Sequence, residues 1–285
     1  MALGQASTVS AFLIKAPKVT LVDCGYASSY ESVLAGLKEV GVAPSDVRYL
    51  IPTHVHLDHA GAAGRLLREM PNAQVICHER GTPHLVDPAR LIESSTRVFG
   101  KAIMELYGMP EPIPADRITS VGKELHLELG DGITATLVHA PGHAPHQLAV
   151  MLEGKRALLT ADAVSIAYPG MKTLIPTTPP PSFDPNTLVA SVGQLSQTDP
   201  SLLLLPHFGV RNDVGSVLEK TREGVMAWVR EVGDLRRAGK GLDEITDEMV
   251  SRVVAEEGVD DLPIYAKVSV RTSVMGILHY LDKNA

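Results

Sequence analysis

The sequence predicts an α/β fold, and three observations carry that expectation. Short apolar runs with strand character alternate with helical stretches through the first 120 or so residues. The stretch 125–161 is dominated by strand-like runs, and everything after about residue 211 has helical periodicity. At 285 residues there is length for one large α/β domain with an appended helical segment, divided here as 1–210 and 211–285.

In chain order, 9–15 and 18–23 read as paired strands closed at Cys24-Gly25. A helix follows over 28–40, with Ser28 and Glu31 in capping-box spacing. Residues 49–52 form a strand, 60–70 a helix and 74–78 a strand. Between about 81 and 116 lies an insertion with helical character, started by Asp87-Pro88 and continued by Phe99, Ile103, Leu106 and Tyr107 at helical spacing. Packing on the core and capping a substrate pocket are both open to it. His84, just before it, reads as a surface histidine.

Residues 168–185 hold six prolines, Pro169, Pro176, Pro179, Pro180, Pro181 and Pro185, which favour stiff extended backbone. A long loop inside a compact domain is often functional. Tyr168, Met171, Leu174, Ile175 and Phe183 are therefore candidates for substrate contact, a structural spacer being the other reading of this stretch. Asp184-Pro185-Asn186 starts a helix, 202–205 adds a last strand, and helices over about 218–239, 242–257 and 262–281 complete the chain.

The chemistry concentrates in His54-Val55-His56-Leu57-Asp58-His59, four potential metal ligands in six positions of a chain with 11 histidines. A strand ending at Thr53 leaves His54 and His56 two residues apart, so both face the same way from the sheet end. Asp58 and His59 fall where a helix starts and face a different point. One loop would thus serve two ions. Other apolar runs end in ligands too: 133–139 runs into the Ala140-Pro141-Gly142-His143 turn, 156–161 into Asp162, and 202–206 into His207.

The order His-x-His-x-Asp-His, Pro-Gly-His, strand-ending Asp, Pro-His resembles the metallo-β-lactamase-fold hydrolases, within them the glyoxalase-II-like branch, over about residues 9–210. The resemblance implies a four-layer αββα sandwich with a helical insertion and C-terminal helices. It implies two divalent ions, zinc first and iron, manganese or cobalt as alternatives. His54, His56 and His143 would hold one, Asp58, His59 and His207 the other, and Asp162 would bridge them. A hydroxide between the ions would be the nucleophile, with Asp58 or Asp162 relaying a proton. The expected function is hydrolysis of a small carboxylic ester, thioester, lactone or phosphoester; the alternative is an iron-dependent oxidoreductase such as a persulfide dioxygenase.

Two positions depart from the pattern. His146 stands where the family turn carries a Gly; it is a candidate substrate contact, and reads foremost as a surface imidazole or one that orients a ligand. Ser165 stands where some lactonase relatives have a Tyr, leaving Tyr168 as the nearest phenol.

Net charge is −7 with no Lys/Arg block, which argues against nucleic-acid partners. Cys24 and Cys77 are the two cysteines, both in apolar strand contexts, and are expected as reduced thiols in a cytoplasmic protein. The first residues lack a basic leader pattern, and the apolar stretch at 11–14 is far shorter than the ~20 residues a spanning helix needs. The expected partner is a small-molecule substrate, with a homodimer implied by the resemblance.

Overall fold

Apolar alternation in the first half builds a five-stranded mixed sheet. β1 (Phe12–Ile14) pairs antiparallel with β2 (Val19–Val22), Leu13 opposite Leu21. Next come α1 (Tyr30–Glu39), β3 (Val47–Ile51), α2 (Leu57–Ala60), α3 (Ala63–Glu69) and β4 (Gln74–His78). The insertion supplies α4 (Thr82–Val86), α5 (Ala89–Phe99) and α6 (Lys101–Tyr107) before β5 (Ile118–Val121). The sheet order is β1-β2-β3-β4-β5, parallel from β2 onward. Parallel neighbours need crossovers, which these helices provide. Leu21, Leu50, Val75, Leu66 and Met70 meet in one buried cluster between sheet and helices.

The computed structural model describes residues 8–284 and divides into two compact units: Met1–His139 with His146–Arg156, and Ala140–Pro145 with Ala157–Ala285. The first seven residues, read above for a leader, lie outside the described residues.

The first unit also contains an antiparallel meander of β6 (Glu124–Gly130), β7 (Ile133–His139) and β8 (Leu148–Leu152). Asp131 and Gly132 turn the β6–β7 hairpin with φ of +53° and +72°, the left-handed pair that matches strand twist.

In the second unit β9 (Ala157–Leu159) runs into the proline-rich segment and α7 (Pro185–Ser196). Then come β10 (Leu202–Leu205), parallel to β9, and β11 (Gly209–Arg211), antiparallel to β10. The Asp184 carboxylate accepts the Thr187 N–H at 2.7 Å and caps α7. α8 (Val214–Arg237), α9 (Leu242–Glu257) and α10 (Ile264–Lys283) follow, near the boundaries that periodicity predicts.

Four local expectations are corrected. The helix predicted over 60–70 is two helices, α2 and α3, with Gly61 between them. A β-carbon on Gly61 would lie 2.3 Å from the Leu57 carbonyl oxygen and 2.7 Å from the Ala27 nitrogen, so only Gly fits. The Ser28/Glu31 capping box does not form: a 3-10 turn, Ala27–Ser29, leads into α1 with Ser29 already helical and no side-chain cap. The run Phe99, Ile103, Leu106, Tyr107 is broken at Gly100 (φ +81°), which turns Leu106 to solvent while Met104 and Tyr107 are buried. β5 and β11 are additional strands, four and three residues long.

Both thiols are buried and unbridged. Burial pushes the Cys77 thiol up to about 11 and Cys24 higher still. Among the described residues no helix is long and apolar enough to cross a membrane.

The proline-rich segment is fastened to the C-terminal helices. Tyr168 Oη lies 2.8 Å from Ser269 Oγ, the Ser273 hydroxyl donates to the Pro176 carbonyl, and the Thr178 hydroxyl donates to the Ser273 carbonyl at 3.0 Å. The Glu257 carboxylate at the end of α9 accepts the N–H groups of Lys172 (2.8 Å) and Thr173 (2.5 Å). Burial pushes Glu257 up, but these N–H bonds outweigh it and hold the carboxyl below its ordinary range. A lowered carboxylate pKa adds stability above the ordinary Glu range and loses it as pH falls through the lowered value. Thermal melts should therefore show Glu257→Gln less stable than the parent at pH 7, with the gap closing on acidification. An equal gap at pH 7 and pH 3 would refute the assignment.

Candidate metal centre

In the first unit, β2 and β3 end side by side and set up the histidine loop. Asp23, just after β2, is buried with φ +57°, a left-handed backbone that costs about 1–2 kcal/mol outside Gly. Its Oδ1 accepts the Thr53 N–H at 2.7 Å, and its Oδ2 accepts the Thr53 hydroxyl at 3.1 Å and His59 Nδ1–H at 2.8 Å. A carboxylate only accepts, so the proton of His59 is on Nδ1 and the Nε2 lone pair is presented, 3.7 Å from Asp58 Oδ2. Cys24 completes the brace, donating its N–H (2.8 Å) and Sγ–H (3.2 Å) to the His59 carbonyl.

His54 Nδ1 faces the Thr53 hydroxyl at 3.2 Å, and its Nε2 lies 2.9 Å from His56 Nδ1. His56 keeps extended backbone as the residue before α2, which places Asp58 in the first turn, as predicted.

In the second unit, Gly142 turns the chain with φ +126°. A β-carbon there would lie 2.3 Å from the backbone of Leu188 in α7. The Gly142 carbonyl accepts the Asp184 N–H at 2.8 Å, and the Ser191 hydroxyl donates to the Pro141 carbonyl at 2.6 Å, so α7 holds the turn. His143 Nδ1–H donates to the Thr177 carbonyl at 2.9 Å, which leaves Nε2 3.4 Å from Asp162 Oδ2. His207 Nε2 lies 3.4 Å from the same oxygen. Asp162 sits in a 3-10 turn after β9, preceded by Ala161 at φ +48°, and its carbonyl accepts the Thr177 hydroxyl at 2.7 Å. Non-Gly residues in left-handed backbone thus immediately precede Asp162 and occupy Asp23, in keeping with the clustering of such strain at functional sites.

These spacings suit a divalent ion. With bonds of about 2.0–2.1 Å, two ligand atoms lie about 2.9 Å apart at a right angle and about 3.4 Å apart at the tetrahedral angle. His59 and His143 each donate the other ring nitrogen to an oxygen acceptor, the arrangement that orients metal-bound imidazoles. Nitrogen and carboxylate donors together suit zinc, iron, manganese and cobalt alike.

The first unit thus brings together His54, His56, Asp58 and His59, and the second brings together His143, Asp162 and His207. Asp23 is the residue that sequence reasoning missed; the signal is that it too directly follows an apolar strand. His146 is buried, not at the surface, with its ring 6.2 Å from His54 and 5.9 Å from His56. His84 is half-buried rather than superficial, its ring 6.2 Å from His146, and burial lowers its pKa. Tyr168 and Phe183 are buried, their rings against Tyr265 (4.7 Å) and Tyr280 (6.0 Å) of α10, and Met171 is half-buried. Outside the loop, His78 and His139 stack at 4.0 Å, and burial, with His139 beside it, lowers His78 to about 4.

The family model of the metallo-beta-lactamase superfamily matches residues 4–207. The chain belongs to this superfamily. Its α/β fold, with two mixed sheets and C-terminal helices, is that of metallo-beta-lactamase structures. A metallo-beta-lactamase family protein from Thermus thermophilus superposes with a TM-score of 0.72 at 20% identity, covering 100% of this chain and 92% of the other. A metallo-beta-lactamase fold-containing protein of Sulfurisphaera tokodaii is 27% identical over 165 residues, 57% of this chain and 60% of the relative. The N-acyl homoserine lactonase AttM of Azorhizobium caulinodans is 33% identical over 136 residues, 47% of each. The chain thus spans about half to three-fifths of these curated relatives. Its His/Asp clusters are consistent with a binuclear metal site.

Proposed function

We propose that the protein is a binuclear metal-dependent hydrolase of small ester-like substrates, in the glyoxalase-II-like branch of the superfamily. The observation that carries this reading is the Asp162 carboxylate, one oxygen of which lies 3.4 Å from both His143 Nε2 and His207 Nε2. A single carboxylate flanked by two imidazoles suits a bridging ligand. His54, His56 and His143 would then hold one ion, Asp58, His59 and His207 the other. Two ions so held would supply a strong nucleophile from water near neutral pH and polarise the oxygen of the bond to be cut.

The protein's own groups supply the rest. Asp23 and the Thr177 carbonyl fix the tautomers of His59 and His143. Asp58, half-buried in the first turn of α2, would pass a proton to the leaving oxygen or sulfur. The carbonyl and phosphoryl members of the class share this chemistry, and the likeness to a lactonase puts lactones first among substrates to test.

Elemental analysis of the purified protein, with a panel of lactone, carboxylic ester, thioester and phosphoester substrates, tests the reading. Two ions per chain, hydrolysis and no oxygen uptake are expected. A single iron with oxygen uptake on persulfides would transfer the assignment to a dioxygenase, and failure to bind metal after reconstitution would exclude both.

A further inference from the structure

Among the described residues the functional reading leaves two buried imidazoles unused, His78 and His146, and His146 is the one beside the histidine loop. His146 Nδ1 lies 3.5 Å from the N–H of Val55, the residue between His54 and His56. A backbone N–H can only donate, so Nδ1 accepts and the neutral ring carries its proton on Nε2. The ring lies nearly parallel to that of His54 (16°) and edge-on to that of His56 (87°). Val55 is itself buried, and a β-carbon on Gly81 would come within 2.9 Å of Val55 Cγ1 and 3.5 Å of His146 Cβ. The Val55 backbone between the two imidazoles is thus packed by its neighbours, and His146 accepts its amide hydrogen.

We propose that His146 is a positioning residue: its Nδ1 holds the Val55 amide and thereby sets the bite of the His54–His56 pair on an ion. This inference rests on the metal reading above. A backbone free to rotate at Val55 would change the separation of Nε2 of His54 and Nδ1 of His56, now 2.9 Å, and weaken the hold on metal. Residues that orient metal ligands typically contribute 10–100-fold in affinity.

Substitution separates the two ring nitrogens, because an Asn amide oxygen takes the place of Nδ1 and a Gln amide reaches the place of Nε2. The test compares wild type, His146→Asn, His146→Gln and His146→Ala by zinc competition against a chromophoric chelator. It also follows exchange of the Val55 amide hydrogen in metal-free protein. Asn should retain affinity to within about threefold, while Gln and Ala weaken binding about tenfold or more. Val55 exchange should be slow in wild type and Asn, and about tenfold faster in Gln and Ala. Equal behaviour of all four proteins would overturn the proposal. Rescue by Gln and not by Asn would also overturn it, since the working atom would then be Nε2. If Ala does not fold, the Asn–Gln comparison still decides. The exchange measurement needs no metal, so a wild type that binds none would sink the metal reading separately from the role of His146.

Discussion

On the proposed binuclear reading, Asp162→Ala should lower kcat/KM on the best ester-like substrate by about 10³-fold or more, because without a bridging carboxylate a neutral-pH nucleophile would no longer be generated. Bound metal should fall from two ions per chain to one or none. The argument lies in the 3.4 Å distances: one carboxylate oxygen serves both His143 and His207, so its removal strips both imidazoles of their shared neighbour. Asp162→Asn should fare little better, since the amide keeps the shape but loses the charge that offsets two cations. Elemental analysis, steady-state kinetics and far-UV dichroism on the same samples check this. A folded Asp162→Ala protein with two ions and undiminished turnover would refute the bridging role.

The second large effect belongs to Asp23, which is buried against Thr53 and His59. Asp23→Ala removes the acceptor of three buried hydrogen bonds, from the Thr53 N–H, the Thr53 hydroxyl and His59 Nδ1. A loss of about 3 kcal/mol or more in stability is expected, at about 1–3 kcal/mol for each buried group left without its partner. Asp23→Asn is the more informative change. Its Oδ1 still accepts the Thr53 N–H, but an amide –NH₂ facing His59 must donate, which drives the imidazole proton from Nδ1 to Nε2, the nitrogen an ion would need. Asp23→Asn should fold, bind metal about 10–100-fold more weakly and recover much of its activity in excess metal. Equal metal affinity in wild type and Asp23→Asn, measured by chelator competition, would sink the tautomer argument.

The contrast between Asp23 and Asp162 shows what the linear chain reveals. Both follow short apolar strands, but Asp162 joins a series of strand-ending ligands, whereas Asp23 stands before Cys24-Gly25 like any turn aspartate. Its work becomes visible only through partners 30 and 36 positions away, Thr53 and His59. The metal-ligand types were legible because they sit where apolar runs stop, a strictly local signal. His146 was not: its hydrogen bond comes from Val55, 91 positions earlier, and no local pattern encodes that contact. The same holds for structure. β4 and β10 emerge with their predicted boundaries because apolar runs, Val75 to Cys77 and Leu202 to Leu205, carry them, while β5 and β11 are partly exposed and defined by their neighbours. The break at Gly61 is legible in hindsight only, since the crowding that requires it comes from Ala27 and Leu57.

Cys24 gives the brace on His59 a practical meaning. Its thiol is fully buried, bonded to the His59 carbonyl and held in the neutral form by its surroundings, so an alkylating reagent meets no thiolate while the loop is closed. Reaction must wait for the carbonyl of His59 to let go. The rate of Cys24 alkylation, recorded with and without metal, is therefore a built-in clock for how often the histidine loop opens.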